Sequence, residues 1–344
     1  MRSLISKLRL DRIVSLLSGA SEKTDSDPSE VITSLEAVAV LESLVCDALV
    51  KNSLNDESSS SVEGADHFGT NIFGRQVSEI SAESVTESLA TASGLALSGF
   101  RVSSFFTADR LLEGYQQIQS SSDHHLPMLL HPLLPEGFNT GSNHAGYHGI
   151  SDVGLFQIMP HTVQQAVDYT LLAHWLAERS LVPGVVGIDR NRIESASLPT
   201  AEKVRAFLGA ADGMIGSPTP SQLLLFSDER RQVPSWFDQD RPVSIGTQQG
   251  SSEGAARAAG NQAFFFSHLQ RLAREGMEAL AEVTGRPLSF VYGENLDSAD
   301  TVIVAQGTAV QTASAAARMI SGQKGGKVGV LGITWLRPFP AAEV

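Results

Sequence analysis

The sequence predicts an α/β fold with layers packed on a mostly parallel sheet, and three stretches carry that reading. Residues 153–159 form a short apolar run of strand length. After Pro160, the residues Val163, Ala166, Val167, Thr170, Leu171, His174 and Trp175 recur every three or four positions, the spacing of one helix face, and the pattern closes over 177–180. Residues 181–188 are a second apolar run that ends in Asp189. Strand, helix, strand with short connections is a parallel βαβ unit, and a parallel sheet needs helices on both faces.

Composition narrows the function classes. A chain of 344 residues can build one large or two ordinary cores. Its formal net charge of −13 argues against nucleic acid or an anionic membrane surface as the main partner, since both demand basic patches. Cys46 is the sole cysteine, which excludes an intrachain disulfide, a self-contained iron–sulfur cluster and a cysteine-rich zinc site. No apolar run approaches the ~20 residues that cross a bilayer. A cytoplasmic protein is expected. Residues 1–18 carry Arg2, Lys7, Arg9 and Arg12 along an apolar stripe. They read as a docked N-terminal helix ended by Gly19 rather than as a transit peptide, because Asp11 counts against the latter.

The elements follow in order. Residues 1–30 are a helix and a polar linker. A first α/β domain is expected over 31–195: a strand at 31–33, a helix at 35–50, a serine-rich surface loop at 52–67, a helix at 81–98 ended by Gly99, a strand at 101–106, a helix at 107–119, a strand at 127–134, and a Gly- and Asn-rich loop at 135–150 before the central unit. Residues 196–298 are expected to complete that domain. Pro218, Pro220, Pro234 and Pro242 break their first half, and 255–284 reads as the longest helix. Residues 299–344 read as a second βαβ unit, with strands at 301–305 and 328–335 around an alanine-rich helix at 309–320. Two strands and one helix cannot close a core, so this unit looks unfinished and association with more polypeptide is expected.

Several segments then resemble a known family. They are Asn71-Ile72-Phe73-Gly74, Gly94-Leu95-Ala96-Leu97-Ser98-Gly99, Phe106-Thr107-Ala108, the helix from Val163 through His174, Asp189 with Arg192, Pro218-Thr219-Pro220, Asp240-Arg241-Pro242, and Gly329-Val330-Leu331-Gly332 with Leu336-Arg337-Pro338-Phe339. In their order and spacing these resemble the N-terminal part of the pyruvate:ferredoxin (flavodoxin) oxidoreductases, from about residue 31 to 344. The resemblance implies a thiamine-diphosphate pyrimidine-binding domain followed by the start of a transketolase-C-like domain. It implies a cofactor site, thiamine diphosphate with Mg²⁺, completed by a diphosphate-binding part elsewhere. Iron–sulfur parts of the same oligomer would then carry electrons to ferredoxin or flavodoxin, with no cluster in this chain.

Within that resemblance three positions depart from the family. Its glutamate, which faces the aminopyrimidine ring, falls on Val85; Glu83 and Glu87 flank it and are the candidate cofactor-side carboxylates. Two residues along a helix turn about 200°, so either needs a register shift to take Val85's place. The substrate-facing threonine of the family falls in Ser53-Leu54-Asn55-Asp56, leaving Asn55 as the candidate there. The arginine for the 2-oxoacid carboxylate falls on Pro135 or His131, and no Arg or Lys occurs between Leu111 and Glu178.

Other signals are weaker. Gly250-Ser251-Ser252-Glu253-Gly254 fits a nucleophile-elbow pattern but lacks a preceding strand. His124, His125, His144 and His148 read as loop histidines, and no metal ligand set is expected. The resemblance leaves two readings. The chain is an N-terminal portion or subunit of an enzyme that decarboxylates a 2-oxoacid such as pyruvate oxidatively to an acyl-CoA and CO₂, inactive alone. Alternatively it is a catalytically silent copy of the domain, kept as a scaffold in a larger oxidoreductase such as a sulfite reductase flavoprotein subunit. On activity the valine tips the expectation towards the silent copy, and no catalytic residue is assigned within the chain.

Overall fold

The computed structural model describes residues 29–52, 69–134, 144–189, 192–237, 239, 251–322 and 326–344. The expected N-terminal helix and Asn55 lie outside them. The chain begins with β1 (Ser29–Thr33), α1 (Ser34–Val45), β2 (Ala48–Asn52), β3 (Ser78–Ala82), α2 (Val85–Leu97) and β4 (Val102–Thr107). A 3₁₀ turn (Ala108–Gly114) leads to α3 (Tyr115–Asp123), β5 (Leu129–Leu134), α4 (Ala145–Gly149), β6 (Phe156–Ile158), α5 (Val163–Ser180), β7 (Gly184–Val186) and β8 (Ile188–Asp189). Next come β9 (Ile193–Ser197), α6 (Ala201–Phe207), β10 (Met214–Gly216), α7 (Pro220–Phe226), β11 (Glu229–Arg231), α8 (Ser251–Phe264) and α9 (Leu269–Thr284). The last elements are β12 (Val291–Glu294), β13 (Thr301–Ala305), α10 (Ala309–Gly322), β14 (Val328–Ile333) and β15 (Trp335–Arg337).

The main sheet has the order β15-β6-β7-β5-β4-β2-β3, with β8 extending alongside β5. Its strands are parallel except β15, which runs antiparallel to β6. Residue alternation splits the core in two. Leu49, Phe105 and Leu129 face α1, α5 and α9, whereas Val50, Phe106 and Leu130 face α2 and α3. Helix α5 is buried nearly all round because the sheet lies on one side and α1 and α9 on the other. The predicted α/β fold is present. The central βαβ unit is β6-α5-β7, with β6 and β7 adjacent and parallel.

Several expected elements differ in detail. The helix expected over 35–50 ends at Val45 and its last residues form β2, because Cys46 turns to an extended conformation (φ −80°, ψ 153°). Asp47 then anchors the turn, accepting the Arg101 N–H at 2.9 Å and the Asn71 amide at 3.0 Å. A continuous buried apolar run carries no boundary signal of its own, which is why the break was invisible. Strand β3, at the sheet edge with mostly exposed residues, has too few apolar side chains to be seen in sequence. The helix expected at 255–284 is two helices separated by a 3₁₀ turn at Phe266–His268. The run at 181–188 holds two strands, both beside β5.

Residues 291–333 form a small sheet of order β12-β14-β13, where β13 and β14 are parallel and α10 connects them. Among the described residues no helix is long and apolar enough to cross a membrane.

Candidate active-site edge

In an open parallel sheet, ligands bind beyond the carboxyl ends of the strands. Here that edge is marked by Asn52, Ala82, Thr107, Leu134 and Asp189. At the end of β3, Ser84 caps α2 by accepting the Glu87 N–H at 3.1 Å, and the Glu87 carboxylate accepts the Glu83 N–H at 2.9 Å. This reciprocal pair resembles a capping box and satisfies backbone donors that a helix start leaves open. Both glutamates stand exposed on the outside of that turn. Val85 points the other way, is fully buried, and packs in the core with Leu89 under Gly114.

Beyond β4, the backbone of the 3₁₀ turn passes very close to α4. A Cβ on Gly146 would lie 1.8 Å from the Ala108 carbonyl oxygen, so only glycine lets the two segments meet. This approach presents His144 and His148, whose rings are 6.3 Å apart. Burial lowers the pKa of both; the neighbouring histidine adds to the effect at His144, while Asp189 opposes it. At the end of β8, Asp189 Oδ2 accepts the Thr308 hydroxyl at 2.6 Å. Its Oδ1 is buried without a hydrogen-bond partner among the described residues. That open carboxylate oxygen, electrostatically coupled to His144, can accept a hydrogen bond.

A cleft lined by His161, Thr162, Arg192, Tyr292, Gln311 and Arg318 separates this edge from the small sheet. Its cations are matched inside the chain: Arg192 pairs with Glu194 at 2.5 Å and Arg318 with Glu294 at 2.9 Å. Burial works to raise the Glu194 pKa, but the Val163 N–H, Gln311 and Arg192 together hold it below the ordinary value.

The structure thus brings Asp189, His144 and His148 together at the strand ends and leaves Glu83 and Glu87 outside at the start of α2. His131, one of the two positions for the carboxylate-gripping arginine, is fully buried and turned to the α1 face, where its Nε2 lies 2.5 Å from Glu42 Oε1. Pro135, the other position, lies outside the described residues. Thr308 was not singled out from the sequence. It stands 119 positions from Asp189, and nothing local announces the contact.

Residues 299–344 match the family model for pyruvate:ferredoxin oxidoreductase core domain II. The chain is 27% identical over 235 residues to the pyruvate synthase subunit PorA of Methanocaldococcus jannaschii, covering 63% of this chain and 52% of the relative. The PorA subunit of Pyrococcus furiosus is 27% identical over 202 residues, covering 56% and 45%. The chain spans about half the length of the curated relatives it matches. Among solved structures, the 2-oxoglutarate:ferredoxin oxidoreductase from Magnetococcus marinus shares the fold, with a TM-score of 0.57 at 12% identity over 94% of this chain and 56% of that one. Residues 299–344 thus match that family's second core domain, and the larger part of the chain is similar to pyruvate synthase subunits of the same kind.

Proposed function

We propose that this chain is the pyrimidine-side portion of a 2-oxoacid:ferredoxin oxidoreductase subunit, inactive alone, which forms a thiamine diphosphate site together with a diphosphate-binding part on other polypeptide. The observation that carries the reading is the junction at residues 299–344, where a parallel sheet with an open carboxyl edge continues into core domain II of that family. Two relatives are named pyruvate synthase subunits and a third, from Pyrococcus abyssi, a ketoisovalerate oxidoreductase subunit, so the proposed substrate class is a 2-oxoacid. Electrons would leave through iron–sulfur parts of the same assembly to ferredoxin or flavodoxin. Cytoplasmic location belongs to the same proposal.

When bound, thiamine diphosphate would supply a carbanion that attacks the 2-oxo carbon, and generating it requires a carboxylate against the pyrimidine ring. The described residues do not fit that need at the expected position. Val85 is hydrocarbon and buried, so it can neither donate nor accept a proton. Glu83 and Glu87 would meet the ring only after a shift of the α2 register, and Asn55 takes the position of the family's substrate-facing threonine. Relatedness to enzyme subunits favours the active-assembly reading; Val85 is the observation on the side of the silent scaffold.

Calorimetry with thiamine diphosphate and Mg²⁺ separates them, run on the full chain alone and with the diphosphate-binding part added. Binding that needs the added part, and that Glu87→Gln abolishes, supports the active assembly with Glu87 as ring partner. Absence of binding in both samples overturns it in favour of the scaffold.

A further inference from the structure

The α1 side of the sheet, away from the strand ends, holds a polar cluster that the proposed function leaves unused. Glu42 lies in the last turn of α1, Cys46 one helical turn later, His174 in the middle of α5, and His131 on β5. All four side chains are 0–1% exposed, inside a core built from residues such as Leu41, Val45, Leu129 and Val186. Glu42 Oε2 lies 2.7 Å from His174 Nε2 and 2.9 Å from Cys46 Sγ. The third edge, from Cys46 Sγ to His174 Nε2, is 3.7 Å. The other carboxylate oxygen, Oε1, meets His131 Nε2 at 2.5 Å, and His131 Nδ1 lies 3.4 Å from the Val186 carbonyl oxygen. Ser103 Oγ is 3.7 Å from the sulfur.

An ionised carboxylate in such surroundings costs several kcal/mol unless a positive charge answers it. Arg101 does not reach it, because its guanidinium is spent on Glu178, Val45 and Gly209. Around Glu42 lie a sulfur and two ring nitrogens, and one ligand atom each from Glu42, Cys46 and His174 fall within 4.8 Å of one another. Carboxylate oxygen, thiolate sulfur and imidazole nitrogen make the donor set that suits Zn²⁺. The triangle they form has the right size. Its centre is roughly 1.9 Å from each corner, so an ion about 1 Å out of the plane reaches Zn–O and Zn–N distances near 2.0 Å and Zn–S near 2.3 Å. The charges also close: a dication with one carboxylate, one thiolate and one neutral imidazole sums to zero, the condition for a charge group in an apolar core.

We propose that Glu42, Cys46 and His174 form a buried structural site for a divalent, zinc-like cation, with His131 as the positioning residue that holds the second oxygen of Glu42. Ser103 Oγ stands within reach of a fourth position. The site lies on the face opposite α2 and is independent of whether the strand-end edge binds thiamine diphosphate. Loading displaces the thiol proton and any proton on the His174 Nε2, and both leave to solvent as the chain folds around the ion. The competing arrangement is a metal-free cluster in which an imidazolium answers Glu42 and Cys46 stays a thiol.

The test uses the full chain, purified without chelator or histidine tag, analysed for metal by mass spectrometry, then unfolded with chelator and refolded with zinc or cobalt. The expected result is about one zinc per chain, and in the cobalt form a sulfur-to-cobalt charge-transfer band in the near ultraviolet. Cys46→Ser is expected to remove the band, His131→Gln to keep it while weakening affinity by about 10- to 100-fold, and His124→Gln to change nothing. Should Cys46→Ser fail to fold, the wild-type cobalt spectrum decides. Natively folded wild-type protein that takes up no stoichiometric metal and shows no band overturns the site. So does a Cys46→Ser protein that retains both, and an unchanged affinity in His131→Gln overturns its positioning role.

Discussion

Arg101 and Glu178 give the most demanding test of how this core is held. Both are 0% exposed, yet they sit at the start of β4 and the end of α5, in contact with apolar side chains. The guanidinium Nε lies 2.5 Å from Glu178 Oε1, and Nη2 donates to Glu178 Oε2 at 3.1 Å and to the Gly209 carbonyl at 3.0 Å. Nη1 donates to the Val45 carbonyl at 3.2 Å, and Gln232 Nε2 donates to the other side of Glu178. Burial alone would lower the Arg101 pKa, but Glu178 more than reverses it, so the guanidinium stays charged. Arg101→Met removes the cation and leaves a carboxylate with a single amide donor. Breaking a buried pair in this one-sided way costs about 3–5 kcal/mol, a large share of the ~5–15 kcal/mol that holds a domain together. The double variant Arg101→Met/Glu178→Leu removes the stranded charge as well, so it should be more stable than the sum of the single variants predicts, by about 2 kcal/mol or more. Urea unfolding followed by circular dichroism measures each variant. If Arg101→Met costs under about 1 kcal/mol, or the double variant costs the plain sum, the pair is not the ionised, desolvated unit argued for it.

Three further outcomes are expected. Burial, with some help from neighbouring His124, pulls the pKa of His125 down to about 4 from its ordinary 6.5, and its ring stacks on Phe265 at 3.7 Å between centroids. The unfolded chain therefore takes up this proton first as pH falls, so stability is complete above pH ~6.5 and drops by about 3 kcal/mol as pH falls to ~4. His125→Asn, which tolerates the left-handed backbone there (φ 54°), should lose that dependence; matching pH profiles for the two proteins would refute it. Gly146→Ala puts a methyl group against the Ala108 carbonyl and should cost about 3 kcal/mol in thermal unfolding, while an unchanged melt would mean that α4 moves freely. Trp335→Ala should cost about 3–5 kcal/mol, because the ring is fully buried between Phe156 and Phe290; a loss below about 1 kcal/mol would show that the neighbours close the gap.

Local pattern made parts of this molecule legible and left others hidden. Residues 153–189 announced a βαβ unit because apolar runs and a 3.6-residue period alternate there, and β6, α5 and β7 follow that pattern. The α1–β2 boundary was hidden because both elements are buried on every side, which erases periodicity. At the site, Asp189 was legible as the polar end of an apolar strand, whereas its hydroxyl partner Thr308 and the Arg101–Glu178 pair depend on distant contacts. Ser84 and Glu87 carry a readable helix-start signature, and the structure shows both side chains bonded at that turn. His131 illustrates the remaining limit: a strand position reveals alternation but not which face an imidazole joins.

The crossing of the chain from β14 to β15 has a mechanical consequence. After five residues paired in parallel with β13 in one sheet, the backbone needs only Thr334 to enter the other, and Trp335 and Arg337 lie in register with Ile158 and Gln157. A rigid splice of this kind forbids a swivel between the two sheets, since any tilt would have to peel the antiparallel edge and drag an indole out of hydrocarbon. Motions within the described residues must therefore come from the loops around the carboxyl edge, with the two sheets travelling as one body.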